Sequence, residues 1–508
     1  MPASDSACSH LRLTPLAACL GVVLAFGSGT RVLADPLTAP ARPAYWMPDA
    51  ALTSLADPRR FNASVLTGAS IGPRAPDRRP MPANSPSATT VTVSNCNDHG
   101  TGSLRSAVAG AVSGDTIDLG GLTCSTITLS TGAITIDQND LTLIGPGAYL
   151  LAIAGGASSG YLDRVFDHSG TGALNIDYLT ITDATYATYA GTGNDGKGGC
   201  IRSMGNVNLL FSVVSSCRIA QSGQSNALGG GLYVAGNLTL AGSILRDNVA
   251  FSSVPSYGNG GGAYVGGGVT TEAATITGNS ATYVGGGLVV FHYYNGETSS
   301  FIDKTTISDN VAEGAGGVEF GTSSETSTVR SSTISGNRAS FVVGGILSGA
   351  PLDVQNSTIA FNQAATTVDF NYVVDVGLAM AAAAANLQSS IVANNQVYLS
   401  PVPRDISAAG PGASVSGNSN LVTFADTPMP ADTIYADPLL YPLSGNGGPT
   451  ETHALQDTSP AIDAGNNSAG LGTDQRLLPR VVGANADIGA FERQGPGDSD
   501  VIFFNGFD

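Results

Sequence analysis

ILRDNVA (244–250), TITGNSA (275–281), TISDNVA (306–312), TISGNRA (333–339) and TIAFNQA (358–364) are five spellings of one unit. Laid over one another they form fixed columns. The second position is apolar: Leu245, Ile276, Ile307, Ile334 and Ile359. Three residues on comes Asn248, Asn279, Asn310, Asn337 and Asn362, and two further Ala250, Ala281, Ala312, Ala339 and Ala364. Successive Asn residues are 31, 31, 27 and 25 apart. Columns at that period mark a repeat architecture, in which one unit buries its apolar face only against its neighbours. β-Branched residues dominate, and glycines open a strand in every unit: GGGLYV (229–234), GGGAYV (260–265), GGGLVV (285–290), GGVEF (316–320) and GGILS (344–348). Both features exclude helical repeats. Each unit supplies about three short strands, one coil of a right-handed parallel β-helix, with coils about 4.8 Å apart. The Asn column is then expected to stack, each amide bonding to the coils above and below. A degenerate copy, VVSSCRI (213–219), puts Cys217 in the Asn column.

The rest of the chain fits an exported all-β solenoid. Its 508 residues exceed one compact core, but a solenoid core grows linearly with repeat number. Residues 1–34 read as a signal peptide, with Arg12 ahead of an apolar run over 16–26 and a cleavage site at Val32-Leu33-Ala34. Leu16-Ala17-Ala18-Cys19 matches a lipobox and offers Cys19 as an alternative, lipidated terminus. Residues 35–88, rich in Pro, Ala and Arg, read as a flexible linker. The β-helix with its N-terminal cap is assigned to 89–424. Ser103 is placed to cap a helix whose apolar face is Leu104, Ala107, Val108, Ala111 and Val112, covering the open first coil. A C-terminal capping region follows over 425–495, then a tail over 496–508 ending in the Phe-rich VIFFNGFD, a candidate sorting signal. No segment beyond the signal approaches transmembrane length.

Charge is divided unevenly. Residues 1–88 hold eight Arg and five acids, whereas the remainder holds eleven Arg, two Lys and 34 acids. A body that acidic repels phosphate backbones and excludes nucleic acid as a partner. It leaves calcium open as a cofactor, although solubility alone accounts for the acids. Four cysteines lie beyond the signal: Cys96, Cys124, Cys200 and Cys217. An even set in an exported chain reads as disulfides. Three pairings are formally open, and proximity favours Cys96 with Cys124 and Cys200 with Cys217.

Two segments carry a resemblance. NCNDHGTGSLRSAV (95–108) with GDTIDLGGLTCSTITL (114–129) resembles the N-terminal cap of exported pectate-lyase-like β-helix proteins. GNGGPTETHAL (445–455), SPAIDAGNN (459–467), TDQR (473–476) and ADIGAFE (486–492) are similar to the choice-of-anchor Q domain. The resemblance implies an exported or cell-surface protein with no assigned activity. The usual anchors are missing from this chain's end: it carries no LPxTG-like motif and no terminal apolar helix.

Signals for chemistry are sparse. Asp247 and Asp309 share the column before the Asn, about 9.6 Å apart over two coils. That is just beyond an inverting glycosidase pair, and Asp is common at turns for its own hydrogen bonds. RVFDHS (164–169) resembles a pectate lyase segment only loosely, and the GHG and RIK strings of polygalacturonases do not occur. GASSG (156–160) and GTGNDG (191–196) fit glycine motifs without the strand and helix those motifs require. His99, His168, His292 and His453 show no ligand spacing, and His453 is expected to be packed or hydrogen-bonded. VFHYYN (290–295) and Tyr283 are candidates for a sugar platform, against a plain reading as covered strand ends. The expectation is an adhesive or envelope-organising surface with no catalytic or metal residues, partnered by polysaccharide or envelope components. The alternative is a lyase or hydrolase of uronic-acid polymers.

Overall fold

The computed structural model describes residues 88–495 except 161, 189–195, 223–224, 254–255, 292–297, 366–375 and 399–403. The signal, Cys19, nearly all of the linker, His292 to Asn295 and the 496–508 tail lie outside the described residues. Three long parallel sheets build the body, with a small three-stranded one formed by Gly196–Lys197, Ala227–Leu228 and Gly258–Asn259. Sheet I runs from Thr90–Thr92 to Ser414–Asn418 with twelve strands, and sheet III from Ile134–Ile136 to Ile406–Ala409 with ten. Sheet II starts at Thr126–Thr128 and divides beyond Val213–Gln221 into two ladders, because that strand pairs with both Ile244–Arg246 and Val249–Ser252. The chain visits sheets I, II and III in turn, so each strand pairs with its equivalent one coil away. This is a parallel β-helix.

Inside, equivalent residues stack on one another. Val214, Leu245, Ile276, Ile307, Ile334, Ile359, Val392 and Val422 are in register through sheet II, each 0% exposed. Burying each aliphatic side chain stabilises by roughly 1.5–3 kcal/mol. Beside them runs the amide column. Nδ2 of Asn248 donates to Oδ1 of Asn279, and the same bond repeats through Asn310, Asn337, Asn362 and Asn395, each 2.9 Å long. Every Asn backbone N–H donates to the same oxygen, and every Nδ2 also reaches a carbonyl of the preceding coil, such as Leu245 O for Asn279. Cys217 N–H heads the column by donating to Asn248 Oδ1 at 3.1 Å. Asp405 closes it: its Oδ1 accepts from Asn395 N and Nδ2, and its Oδ2 from the backbone N–H of Thr423 and Phe424. An acceptor-only carboxylate suits an end where nothing needs a donor.

The turn explains the spelling of the repeat. The residue before each ladder member sits at positive φ: Ser216, Asp247, Gly278, Asp309, Gly336, Phe361 and Asn394, between 54° and 67°. This left-handed step swings the next side chain inward, and it favours Gly, Asn and Asp. The strand-opening glycines face the column from the next strand. A Cβ on Gly287 would lie 3.2 Å from Asn310 Nδ2 and 2.7 Å from Gly317 O.

Both ends of the solenoid are closed. Ser103 caps helix α1 (Leu104–Gly110) by accepting from Ser106 N–H, and Leu104, Ala107 and Val108 are buried. Val112 is 39% exposed, because Ala111 turns extended and ends the helix before a final apolar position can form. Asp98 ties the cap to the first coil, accepting from Arg105, from Ser130 N–H and Oγ–H, and from Thr131 Oγ–H. Burial alone would raise that carboxyl, but these donors hold it at about 2. Disulfides join Cys96 to Cys124 and Cys200 to Cys217. The C-terminal region first extends sheet II with Ile434–Tyr435, then folds back along the sheet's outer face. There Ala360, Ile391, Ala393 and Leu421 pack against Leu440, Leu455, Ala461, Ile488 and Phe491.

Candidate functional site

The residues singled out by sequence scatter over the solenoid. Asp247 and Asp309 both occupy the left-handed turn, and each carboxylate overhangs a glycine on the next coil: a Cβ on Gly278 or Gly336 would lie 2.8 Å from it. Their spacing is a property of the turn. His168 is buried, its Nδ1 bonded to Ser203 Oγ at 2.7 Å and its Nε2 facing the carbonyls of Gln138 and Asn139. Its neighbour Asp167 faces outward between Arg164 and Arg202. In the GASSG stretch, Ser158 Oγ donates to Asp183 at 2.6 Å from a short turn, with no elbow. Among the described residues no group of three His, Cys, Asp or Glu side chains is arranged to hold a metal, and no helix is long and apolar enough to cross a membrane.

The tail motifs serve as docking hardware. Thr333 Oγ–H donates to Gln475 Oε1 at 2.7 Å, and Gln475 Nε2 donates to Thr306 and Thr450. His453 Nε2 meets Ser335 Oγ at 2.8 Å while Nδ1 faces Tyr441 O, and burial pushes this imidazole down to about 4. Ala490 N–H reaches Thr358 Oγ. Behind them Arg476 pairs with Asp474, and burial pushes the Glu492 carboxyl up to about 7. These contacts clasp the flank of sheet II and leave no groove over Thr306–Ser308, Thr333–Ser335 or Thr358–Ala360.

Sheet III carries an aromatic ladder. The outward column Asp167, Arg202, Tyr233, Tyr264, Val289 and Glu319 is in register through successive strands. Tyr233 and Tyr264 stack at 5.8 Å and 6°, and Phe291 stacks on Tyr264 at 5.9 Å. Lys197 covers the other side of Tyr233. Ring faces that stack on each other are closed to a sugar, and Tyr233 is only 1% exposed. Tyr283 likewise leans on Tyr257, with ring centroids 4.5 Å apart. Neither is a platform. Further along the column, Glu319 has one carboxyl oxygen unpartnered among the described residues, and burial pushes it up to about 7.

The outer face of sheet I is different. Two outward rows run along it, fixed by the strand register. The first is Thr142, Asn175, Asn208, Thr239, Thr270, Phe301, Thr328, Asp353, Asn386 and Ser416. It is almost all hydroxyl and amide, and Asn208 donates to Asn175, which donates to Thr142, at 2.8 and 3.1 Å. The second row includes Asp177, Glu272, Asp303 and Arg330. Asp303, 1% exposed, binds Lys304 Nζ at 2.8 Å and Arg330 through Nε and Nη2 at 3.1 and 2.8 Å. Arg330 also lies over the Phe301 ring at 4.6 Å. Burial pushes Asp177 up to about 6, and burial, eased by Lys304, raises Glu272. A hollow of about 500 Å³ adjoins this face at the corner entering from sheet III, with Gly205 and Gly236 as its floor and Thr171, Asn206, Asn237 and Thr298 around it. Rows of hydrogen-bonding groups one coil apart, with a hollow at the edge, can engage a repeating polar polymer. Sequence reasoning missed this face, because its members lie 25–33 residues apart on weakly marked strands.

No family model matches the chain, and no curated protein matches it. Among solved structures, the chain is similar to the crystal structure of pectate lyase Pel9A, at 12% identity over 80% of this chain and 98% of that one, with a TM-score of 0.39.

Proposed function

We propose that the chain is an exported, non-catalytic β-helix that holds an extended polysaccharide along the outer face of sheet I, at the cell surface or in the surrounding matrix. The observation that carries this is the first outward row, where nine of ten successive coils present a hydroxyl, amide or carboxyl group. Direct and water-bridged hydrogen bonds to such a lattice give many weak contacts in phase with a polymer. Two disulfides fit an oxidising compartment. The tail motifs resemble those of choice-of-anchor Q proteins, and the residues that carry the resemblance clasp sheet II, which fits an exported setting.

Affinity electrophoresis of the full chain in gels containing polysaccharides tests the reading. Retardation is expected, with at least tenfold loss in the outward-facing triple variant Asn208→Ala, Thr239→Ala, Thr270→Ala. Equal retardation of the variant would refute the assignment of the face. A second reading, cleavage of uronate polymers, draws on the Glu272, Asp303, Lys304 and Arg330 node. Release of unsaturated uronate by the purified chain, abolished in Lys304→Ala, would establish it instead.

A further inference from the structure

Resting on that reading, the geometry points to a neutral polysaccharide as the ligand of the sheet I face, with uronate polymers rejected. Three observations converge. First, neither cation on the face is spare. Lys304 and Arg330 are both engaged by the buried Asp303 carboxylate, which takes three N–H donors from them. A sugar carboxylate would meet two cations whose charge Asp303 already offsets, which weakens what it can gain by pairing with them. Second, the remaining charge on the two rows is negative. The carboxylates of Asp177 and Glu272 have no hydrogen-bond partner among the described residues, and Asp353 sits in the hydroxyl row, where Asn386 donates to it at 3.3 Å. A polyanion threaded along the rows would pass each of these at contact distance, in a body with 34 acids against 13 cations from residue 89 onward. Third, among the described residues the hollow at the edge has no ionisable side chain in its lining; Asn206, Asn237 and Thr298 offer amides and a hydroxyl beside a glycine floor. Asn206 and Asn237 are held open to it because their Oδ1 atoms accept the N–H of Asn237 and Gly268. Their amide NH2 groups are left to donate outward. Amides and hydroxyls over exposed backbone match sugar hydroxyls, and no described residue of the lining carries a cation to pair with a carboxylate.

The full chain is run at neutral pH through native gels containing either a neutral glucan or galactomannan, or polygalacturonate or alginate, at low and at physiological salt. Retardation by a neutral polymer, with polyuronates at least tenfold weaker at both salts, is the expected result. Equal or stronger retardation by a polyuronate would overturn the inference while leaving the polysaccharide face standing. Retardation by neither class would sink the reading of the face, and the inference with it. Thr298→Trp, which fills the hollow from its half-buried wall, is expected to weaken neutral-polymer binding at least fivefold, with folding checked by the melting temperature. If that variant fails to fold, Thr270→Trp on the neighbouring row is measured instead. Undiminished binding in a folded variant at either position removes that position from the site.

Discussion

Replacing Asn310 by Ala isolates one rung of the amide column. The side chain accepts from Asn279 N–H at 3.0 Å and from Asn279 Nδ2 at 2.9 Å, and it donates to Ile276 O and Asn337 Oδ1, both at 2.9 Å. Truncation leaves Asn337 Oδ1 with one donor, the backbone N–H of residue 310. It strips a partner from the other three groups, in a place where Asn310 itself is 0% exposed. At about 1–3 kcal/mol for each stranded buried group, softened where water enters the new void, the loss is about 3–5 kcal/mol. Because solenoids can unfold in parts, urea melts are best paired with hydrogen exchange read peptide by peptide. The midpoint is expected to fall, and exchange to rise first at residues 275–281 and 333–339. A change below about 0.5 kcal/mol, or faster exchange spread evenly along the chain, would refute the rung's role.

Asp405→Asn puts an NH2 group where Oδ1 or Oδ2 now accepts two N–H donors; about 2–4 kcal/mol of destabilisation is expected in the same melts, and none would remove Asp405 as the column's terminator. Glu319→Gln tests a buried acid. With its carboxyl raised from 4.5 to about 7, the folded state binds the proton more tightly, so stability is lost as pH rises through that window. The variant should therefore be more stable than the parent at pH 8, by roughly 1–2 kcal/mol after allowing for partial exposure, and nearly equal at pH 4.5. The opposite order would show that Glu319 is paired. His453 acts the other way. Lowered from 6.5 to about 4, it lets the folded state bind fewer protons, so stability is lost as pH falls from 6.5 to 4. Hydrogen exchange over 440–492 should accelerate in that window relative to 201–265, and a uniform response would contradict the clasp.

The column was legible because every coil reuses one turn. A left-handed step followed by an inward amide forces the same residue types at the same offset, whatever the loop lengths between coils. The reading stopped one rung early. IVANNQV (391–397) repeats the pattern of TIAFNQA (358–364) with Val392 and Asn395 in place, but Val397 breaks the Ala column. Asp405 follows Asn395 after only 10 residues and carried no periodic signal. Turn chemistry also drew attention to Asp247 and Asp309, whose side chains answer to backbone geometry. The acids that share a face, Asp177, Glu272 and Asp303, stand out only once strand register is known, since parallel stacking brings together residues about 30 apart. The flank clasp was hidden for the same reason. Gln475 meets Thr306 and Thr333 across 169 and 142 residues. A motif reading could name those tail residues without saying what they touch.

A crystal structure of the chain soaked with a neutral oligosaccharide tests the central claim most directly. Sugar rings should lie parallel to the solenoid axis over Asn208, Thr239 and Thr270, with one end in the hollow beside Asn206 and Asn237. Rings bound instead along the Asp167 to Glu319 column of sheet III would contradict it.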